Sequence, residues 1–221
     1  MQKSKNWLLT GSLSLILFVS LTLLVSLSPT WLVAFESSIQ NTMTSFVDPV
    51  RTQILSIVAF FGSPIMAIFL TILVAGAFWL YHYRQISIWI VATQFSGDAV
   101  ALFVKDFIQR PRPTGQIIKD TGFSYPSGHT FSTAILVLTI LFIVVPLLKD
   151  QEVQVLVSVL AIIWLGVVAF SRIYLRDHYP TDVIASLLLA LTWWTVMRAA
   201  YFAYQNRFAN YKIKQTNKEK S

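Results

Sequence analysis

Tyr125-Pro126-Ser127-Gly128-His129-Thr130 is a short polar break in an otherwise apolar part of the chain, and the architecture follows from it. Pro126 disfavours helix at the residue before it, and Gly128 permits a close backbone approach. The apolar run Phe131–Leu148 that follows is suited to crossing a bilayer as a helix. Ser127 and His129 therefore stand at or just before the N-terminus of a buried helix. Free N–H groups and the helix dipole favour an anion there, and phosphate is one such anion.

The rest of the composition agrees with a membrane setting. Of 221 residues, 55% are hydrophobic and only 12% charged, whereas a soluble domain is roughly 25% charged. Six spans of about 20 residues would use about 120 positions, leaving short loops and no room for a second domain. A single domain over 1–221 is expected, with a membrane core of about 8–203 and a basic, loose cytoplasmic tail of about 204–221. The chain has no cysteine, which excludes a disulfide frame and a thiolate metal site.

The predicted spans are Leu8–Ser28, Ile54–Trp79, Ile86–Val104, Phe131–Leu148, Val153–Phe170 and about Thr181–Tyr201. The first is read as an uncleaved span, because it is long for a signal core and no small-x-small site follows. Between the first two, Leu32, Phe35, Ile39, Met43 and Phe46 recur at three- and four-residue steps. That pattern predicts an amphipathic helix lying in the membrane interface. Gly62-Ser63-Pro64 marks a break in the second span. Asp98 lies inside the third, where a carboxylate must face the bundle interior, as a buried partner for a basic group rather than a catalyst. The overall expectation is an all-α integral membrane protein of six transmembrane helices and one interfacial helix.

Six crossings put both termini on one side. Lys3, Lys5, Arg84, Lys149, Arg198, Arg207, Lys212, Lys214, Lys218 and Lys220 make ten basic residues on that side, against seven on the other, which selects the cytoplasm for the termini. The same count brings three separated polar clusters to the outer face. They are Lys105 with Arg112, Ser127 with His129, and Arg172 with His178 and Asp182. Arg offers a planar fork suited to phosphate, and Lys adds a point charge. Two histidines in such a place point to phosphoryl transfer, one as nucleophile and one as proton donor. His178 and Asp182 are four residues apart, one helical turn, so the carboxylate can hold one imidazole nitrogen and leave the other to attack phosphorus. Each residue alone has a plainer role: snorkelling for the bases, helix capping for Ser127, a surface pair for His178 and Asp182. Their joint arrangement carries the functional reading.

These residues give the chain a resemblance to the membrane-bound type 2 phosphatidic acid phosphatases, the lipid phosphate phosphatase superfamily. Lys105 through Arg112-Pro113 matches its Lys-x6-Arg-Pro motif, Pro126-Ser127-Gly128-His129 its Pro-Ser-Gly-His motif, and Ser171-Arg172 through His178 its Ser-Arg-x5-His motif. The resemblance implies that His178 is the nucleophile, forming a phosphohistidine, that Asp182 orients it, and that His129 protonates the leaving group. It also implies that Lys105, Arg112, Ser127, Gly128 and Arg172 bind the phosphate. No metal and no cofactor are expected, since three fixed cations take a metal's place. Many bacterial relatives have a polar residue, often Asn, where this chain has Ala101, which bears on fine substrate preference.

The implied substrates are undecaprenyl pyrophosphate, phosphatidylglycerol phosphate or phosphatidic acid. An outward-facing site would suit recycling of the cell-wall lipid carrier. The short loop Thr114–Tyr125 suggests no bulky lid. The expected partners are the lipid phosphate and membrane lipids, not nucleic acid, and the oligomeric state stays open. The alternatives are a lipid-to-lipid phosphotransferase using the same site, or a lipid-binding or transport protein using the cationic pocket without turnover. A channel fits less well, because the polar clusters gather at one interface and not at the midplane.

Overall fold

A computed structural model describes residues 5–218. The basic residues Lys3 and Lys220 lie outside them. All regular structure among the described residues is helical. In order the helices are α1 (Lys5–Leu27), α2 (Thr30–Ser45), α3 (Pro49–Phe61), α4 (Pro64–Leu80), α5 (Arg84–Ile108), α6 (Gly128–Thr139), α7 (Gln151–Tyr174) and α8 (Pro180–Lys218). A single π-helical turn, Ile140–Val144, and a 3-10 turn, Val145–Leu147, continue α6 to the length of a span. Among the described residues five helices are long and apolar enough to cross a membrane, and α3 with α4, bent by 47° at their break, passes the same test as a pair and is a sixth candidate span. The protein is a multi-pass membrane protein.

The bend has local causes. Asp48 caps α3, accepting from Val50 N and Arg51 N at 2.9 and 3.1 Å. Ser63 caps α4 and Pro64 opens it, so the chain stops and restarts at Gly62-Ser63-Pro64 as its sequence suggests. A β-carbon on Gly62 would stand 2.5 Å from Val168 Cγ2, so the break presses directly on α7.

The long helix α8 packs along α1 and α6, and α6 also meets α4, α5 and α7. Its interior is aromatic and aliphatic: Phe131, Ile135, Ala185, Ala190 and Trp194 are fully buried. Tyr125, just ahead of α6, is buried against α1, where its hydroxyl pairs with Thr22 Oγ1 at 2.7 Å. This clip sets the polar break between α1 and α8. Asp98 does face the interior, but its partners are neutral. Gln94 Nε2 donates to it at 2.9 Å and the Ser132 hydroxyl donates to its other oxygen, tying α5 to α6 without a base.

Two helix ends and one buried face differ from what the sequence predicts. Helix α7 runs to Tyr174, so Ser171 and Arg172 sit on its last turn and the loop that follows spans only 175–179. Helical hydrogen bonding simply persists through the polar residues once their side chains find buried partners. Helix α8 continues to Lys218, past Tyr204 where a loose tail was expected. Helix α2 forms where an interfacial helix was expected, but the residues it buries are Leu32, Glu36 and Gln40. Phe35 and Phe46, assigned to its apolar face, are exposed instead.

Candidate active site

Four helix ends and two loops converge. Lys105 is on the last turn of α5 and Arg112 is in the loop after it. Ser127 caps α6, and Gly128 and His129 open it. Arg172 ends α7, His178 lies in the short loop, and Asp182 is on the first turn of α8. Backbone links join the segments: Ser127 N donates to Asp182 O at 3.3 Å, and the Ser186 hydroxyl donates to Ser127 O at 2.9 Å. The two motif histidines thus come to one end of the α6–α8 pair.

His178 is 1% exposed. Its Nδ1 stands 2.7 Å from Ser124 O and 3.5 Å from Asp182 Oδ2. A carbonyl can only accept, so Nδ1 carries the proton and Nε2 keeps its lone pair. That Nε2 faces Arg112 NH1 at 3.4 Å. Burial holds this imidazole well below its ordinary value, at about 4, although Asp182 pulls the other way. The ring is therefore neutral at physiological pH, with its free nitrogen turned to a cation. Asp182 was expected to be the group that orients the ring. The carbonyl of Ser124 is closer to Nδ1, and Asp182 is the second acceptor near it.

Arg112 is held by backbone carbonyls: Nε donates to Gly122 O at 3.1 Å, NH2 to Thr121 O at 2.9 Å and NH1 to Asp177 O at 3.1 Å. Lys105 Nζ donates to Phe123 O at 2.9 Å. The 109–127 loop thus wraps around its own Arg112 and around Lys105 of α5. Asp120 Oδ2 bridges Arg112 NH1 at 3.1 Å and Arg172 NH2 at 3.0 Å. Asp177 Oδ2 takes the same Arg172 nitrogen at 2.9 Å. Burial pushes the Asp177 carboxyl up to about 6, against the pull of Arg172. His129, half-buried, lines a cavity of about 310 Å³ with Ser56, Ser63, Asp120, Arg172 and Asp177. Arg172 Nε is buried without a protein partner. The loop, expected to be too short for a bulky lid, supplies Asp120 to the site and is tied to the end of α7 by Ile117 N to Leu175 O at 3.0 Å.

Ser127 Oγ is spent locally, capping Thr130 N at 3.5 Å and meeting Thr130 Oγ1 at 3.1 Å. Ser171, the first residue of its motif, donates to Val168 O at 2.7 Å within its own helix. Gly128 is not required by close backbone packing: an added β-carbon would meet only Pro64 Cγ, at 3.8 Å. It leaves open space at the helix start.

The sequence reading missed a second set of residues. Arg110 donates NH1 to Asp182 Oδ1 at 2.5 Å and NH2 to Glu36 Oε2 at 2.5 Å, and lies 4.0 Å over the Tyr179 ring. Burial opposes its charge, but Asp182 and Glu36 outweigh it and raise its pKa. Gln40 Nε2 donates to His178 O at 3.1 Å. Glu36 and Gln40 sit four residues apart in a helix read by its apolar positions. Two polar residues one helical turn apart were the available signal, and both turn out to be buried.

Comparison with known proteins places the chain in a family. Residues 85–206, more than half the chain, match the PAP2 superfamily, and the chain belongs to that family. Phosphatidylglycerophosphatase B of Bacillus subtilis (strain 168) is 32% identical over 94 residues, 40% of this chain and 44% of that one. Phosphatidylglycerophosphatase B of Haemophilus influenzae is 33% identical over 97 residues, 43% of this chain and 38% of that one. The chain thus spans less than half the length of these curated relatives. In three dimensions it is similar to the transmembrane PAP2 type phosphatidylglycerolphosphate phosphatase from Bacillus subtilis. The TM-score is 0.78 at 18% identity, over 86% of this chain and 94% of that one. Aquifex aeolicus LpxE is similar with a TM-score of 0.54 at 16% identity, over 73% of this chain and 93% of that one. These two likenesses concern the fold.

Proposed function

We propose that the protein is a metal-independent lipid phosphate phosphatase acting through a phosphohistidine on His178. The observation that carries the reading is the His178 ring itself. Its Nδ1 is committed to the Ser124 carbonyl, and its lone pair on Nε2 faces the Arg112 guanidinium. A phosphate bound by Arg112 would meet that lone pair. Arg112 and Arg172 now share Asp120, and a phosphate, with more charge and more acceptor oxygens, takes its place between the two forks. Lys105 adds a third cation, and the N–H groups at the start of α6 are available beside Gly128.

In the first step Nε2 attacks phosphorus, forming the N–P bond as the P–O bond to the lipid breaks. His129 gives its proton to the leaving oxygen. In the second step water attacks phosphorus, the N–P bond breaks, and His129 takes the water proton back. Three fixed cations stabilise the transition-state charge, which is the work a divalent ion does elsewhere.

The names of the two curated relatives make phosphatidylglycerol phosphate the first substrate to try, with undecaprenyl pyrophosphate and phosphatidic acid beside it. The termini are assigned to the cytoplasm and the site to the outer face by the charge bias of the loops. The deciding assay is phosphate release by purified protein in detergent with EDTA, offering the three lipids in turn. Release that persists in EDTA and disappears in His178→Ala and His129→Ala supports the reading. Full activity in both variants overturns it. Transfer of labelled phosphate to an added lipid in preference to water would make the protein a phosphotransferase instead.

A further inference from the structure

Helix α2 joins the first two crossings, and its sequence has the pattern of a surface helix. Yet its buried positions Leu32, Glu36 and Gln40 form one face, and both polar side chains serve the segment bearing His178. Gln40 Nε2 donates to the carbonyl of His178 at 3.1 Å. Glu36 Oε2 takes Arg110 NH2 at 2.5 Å, and its other oxygen accepts from the hydroxyl of Thr181. Arg110 NH1 in turn takes Asp182 Oδ1 at 2.5 Å. The remaining Asp182 oxygen, Oδ2, accepts from Tyr179 N at 2.9 Å and stands 3.5 Å from His178 Nδ1.

We propose that Glu36 and Gln40 are positioning residues for the His178–Asp182 pair, with α2 as the clasp that holds them. The inference rests on the reading of His178 as nucleophile. The physical reason lies in the guanidinium fork. An arginine beside one buried carboxylate pairs with both of its oxygens. Glu36 occupies the second tooth of the Arg110 fork, so Arg110 engages only Oδ1 of Asp182. Oδ2 is thereby left for the imidazole side. Without the Glu36 charge the fork is free to close on both oxygens and draw Oδ2 away from His178. Gln40 fixes the backbone of the same residue, so ring and main chain are held from one helix. Neither α2 residue belongs to the three motif segments, and the phosphate-side cations Lys105, Arg112 and Arg172 are untouched by them.

The test is the full-length protein in detergent carrying Glu36→Gln, which keeps the shape and removes the charge. Two measurements are made: steady-state kinetics on the fastest lipid, and ¹⁵N NMR of histidine-labelled protein. The chain has three histidines, so the spectrum is simple to assign. The expected result is a fall in kcat of about 10²-fold, the scale of a small misplacement of a reacting group. KM stays within about twofold, because the phosphate ligands are intact, and the His178 Nδ1–H resonance shifts or broadens. Glu36→Asp, which keeps the charge, recovers part of the loss. Unchanged kcat, or a loss confined to KM, or a His178 signal identical to wild type, overturns the proposal. If Glu36→Gln does not fold, Arg110→Lys replaces it. A point ammonium cannot hold two carboxylates in a fixed fork, so the same kcat loss and ring shift are expected, and their absence is equally decisive. If the wild type releases phosphate from no lipid, the hydrolase reading fails. The NMR comparison still decides whether Glu36 positions the ring.

Discussion

Arg110 and Arg112 are two residues apart in one loop, yet they serve opposite sides of the site. Arg112 is fixed by three carbonyls and turns NH1 toward His178 Nε2 and Asp120, the side from which a phosphate would come. Arg110 is consumed by two carboxylates, Glu36 and Asp182, on the Nδ1 side of His178. In the proposed reaction Arg112 exchanges Asp120 for the substrate phosphate. The other has partners on both teeth and no reason to release them. The same residue type two positions along the chain is proposed as a binding group in one case and is a bracket between two carboxylates in the other.

The comparison can be broken in several places. The largest effect is expected at the group both arginines surround. His178→Ala should lose at least about 10³-fold in turnover, the scale of removing a nucleophile. It should also abolish acid-labile labelled phosphoprotein in a rapid-quench experiment. If label is still trapped on the variant, His178 is not the nucleophile.

The two arginines should then separate in kind. Arg112→Met is expected to weaken orthovanadate and substrate binding by about 10²-fold, the loss of a charge-assisted bidentate pair, with the fold retained. Arg110→Met leaves Asp182 and Glu36 buried without their cation, so it should cost about 3–5 kcal/mol of stability. Thermal unfolding in detergent reads this directly. Equal melting temperatures for the two variants would contradict the division of labour.

A smaller effect is expected at Gly128. Its added methyl has room inside the protein, so Gly128→Ala should melt within a few degrees of wild type. If the space belongs to a phosphate, the variant loses kcat/KM, though less than Arg112→Met, because a methyl displaces the anion without removing a charge. Full activity would mean the glycine serves neither packing nor substrate.

The smallest effect is an absence of change. Burial depresses the His178 imidazole to about 4, so the ring becomes an imidazolium only below that pH. Between pH 7 and pH 5 the ¹⁵N signals of this residue should stay those of a neutral ring. An ordinary imidazole near 6.5 would lose most of its neutral form over the same range. Titration near 6 would show that His178 is more solvated, or more strongly supported by Asp182, than its surroundings suggest.

Much of this was legible in the chain. Crossings were readable because bilayer-spanning helices need long apolar runs, and the break at Gly62-Ser63-Pro64 because capping and proline chemistry are local. The motif residues were readable because Lys105, Arg112, His129, Arg172 and His178 are costly near a membrane unless a shared task or a head group holds them. The extent of α7 through Arg172 was not readable, since polar residues end a span by composition but not a helix by hydrogen bonding. Nor was the role of Ser171, which bonds back into its own helix rather than toward the cavity.

Hydropathy and three short motifs were enough to determine an all-helical membrane protein whose separated polar clusters meet on one face. That follows from counting crossings, which needs no distances. Which carbonyl sets the tautomer of His178, which acid shares each arginine, and that α2 turns Glu36 and Gln40 inward came from the packed arrangement alone. Those choices depend on contacts between residues such as Gln40 and His178, 138 positions apart. A local pattern carries no record of such pairs, because burial of a polar side chain is set by the partner it finds across the bundle and not by its neighbours in sequence.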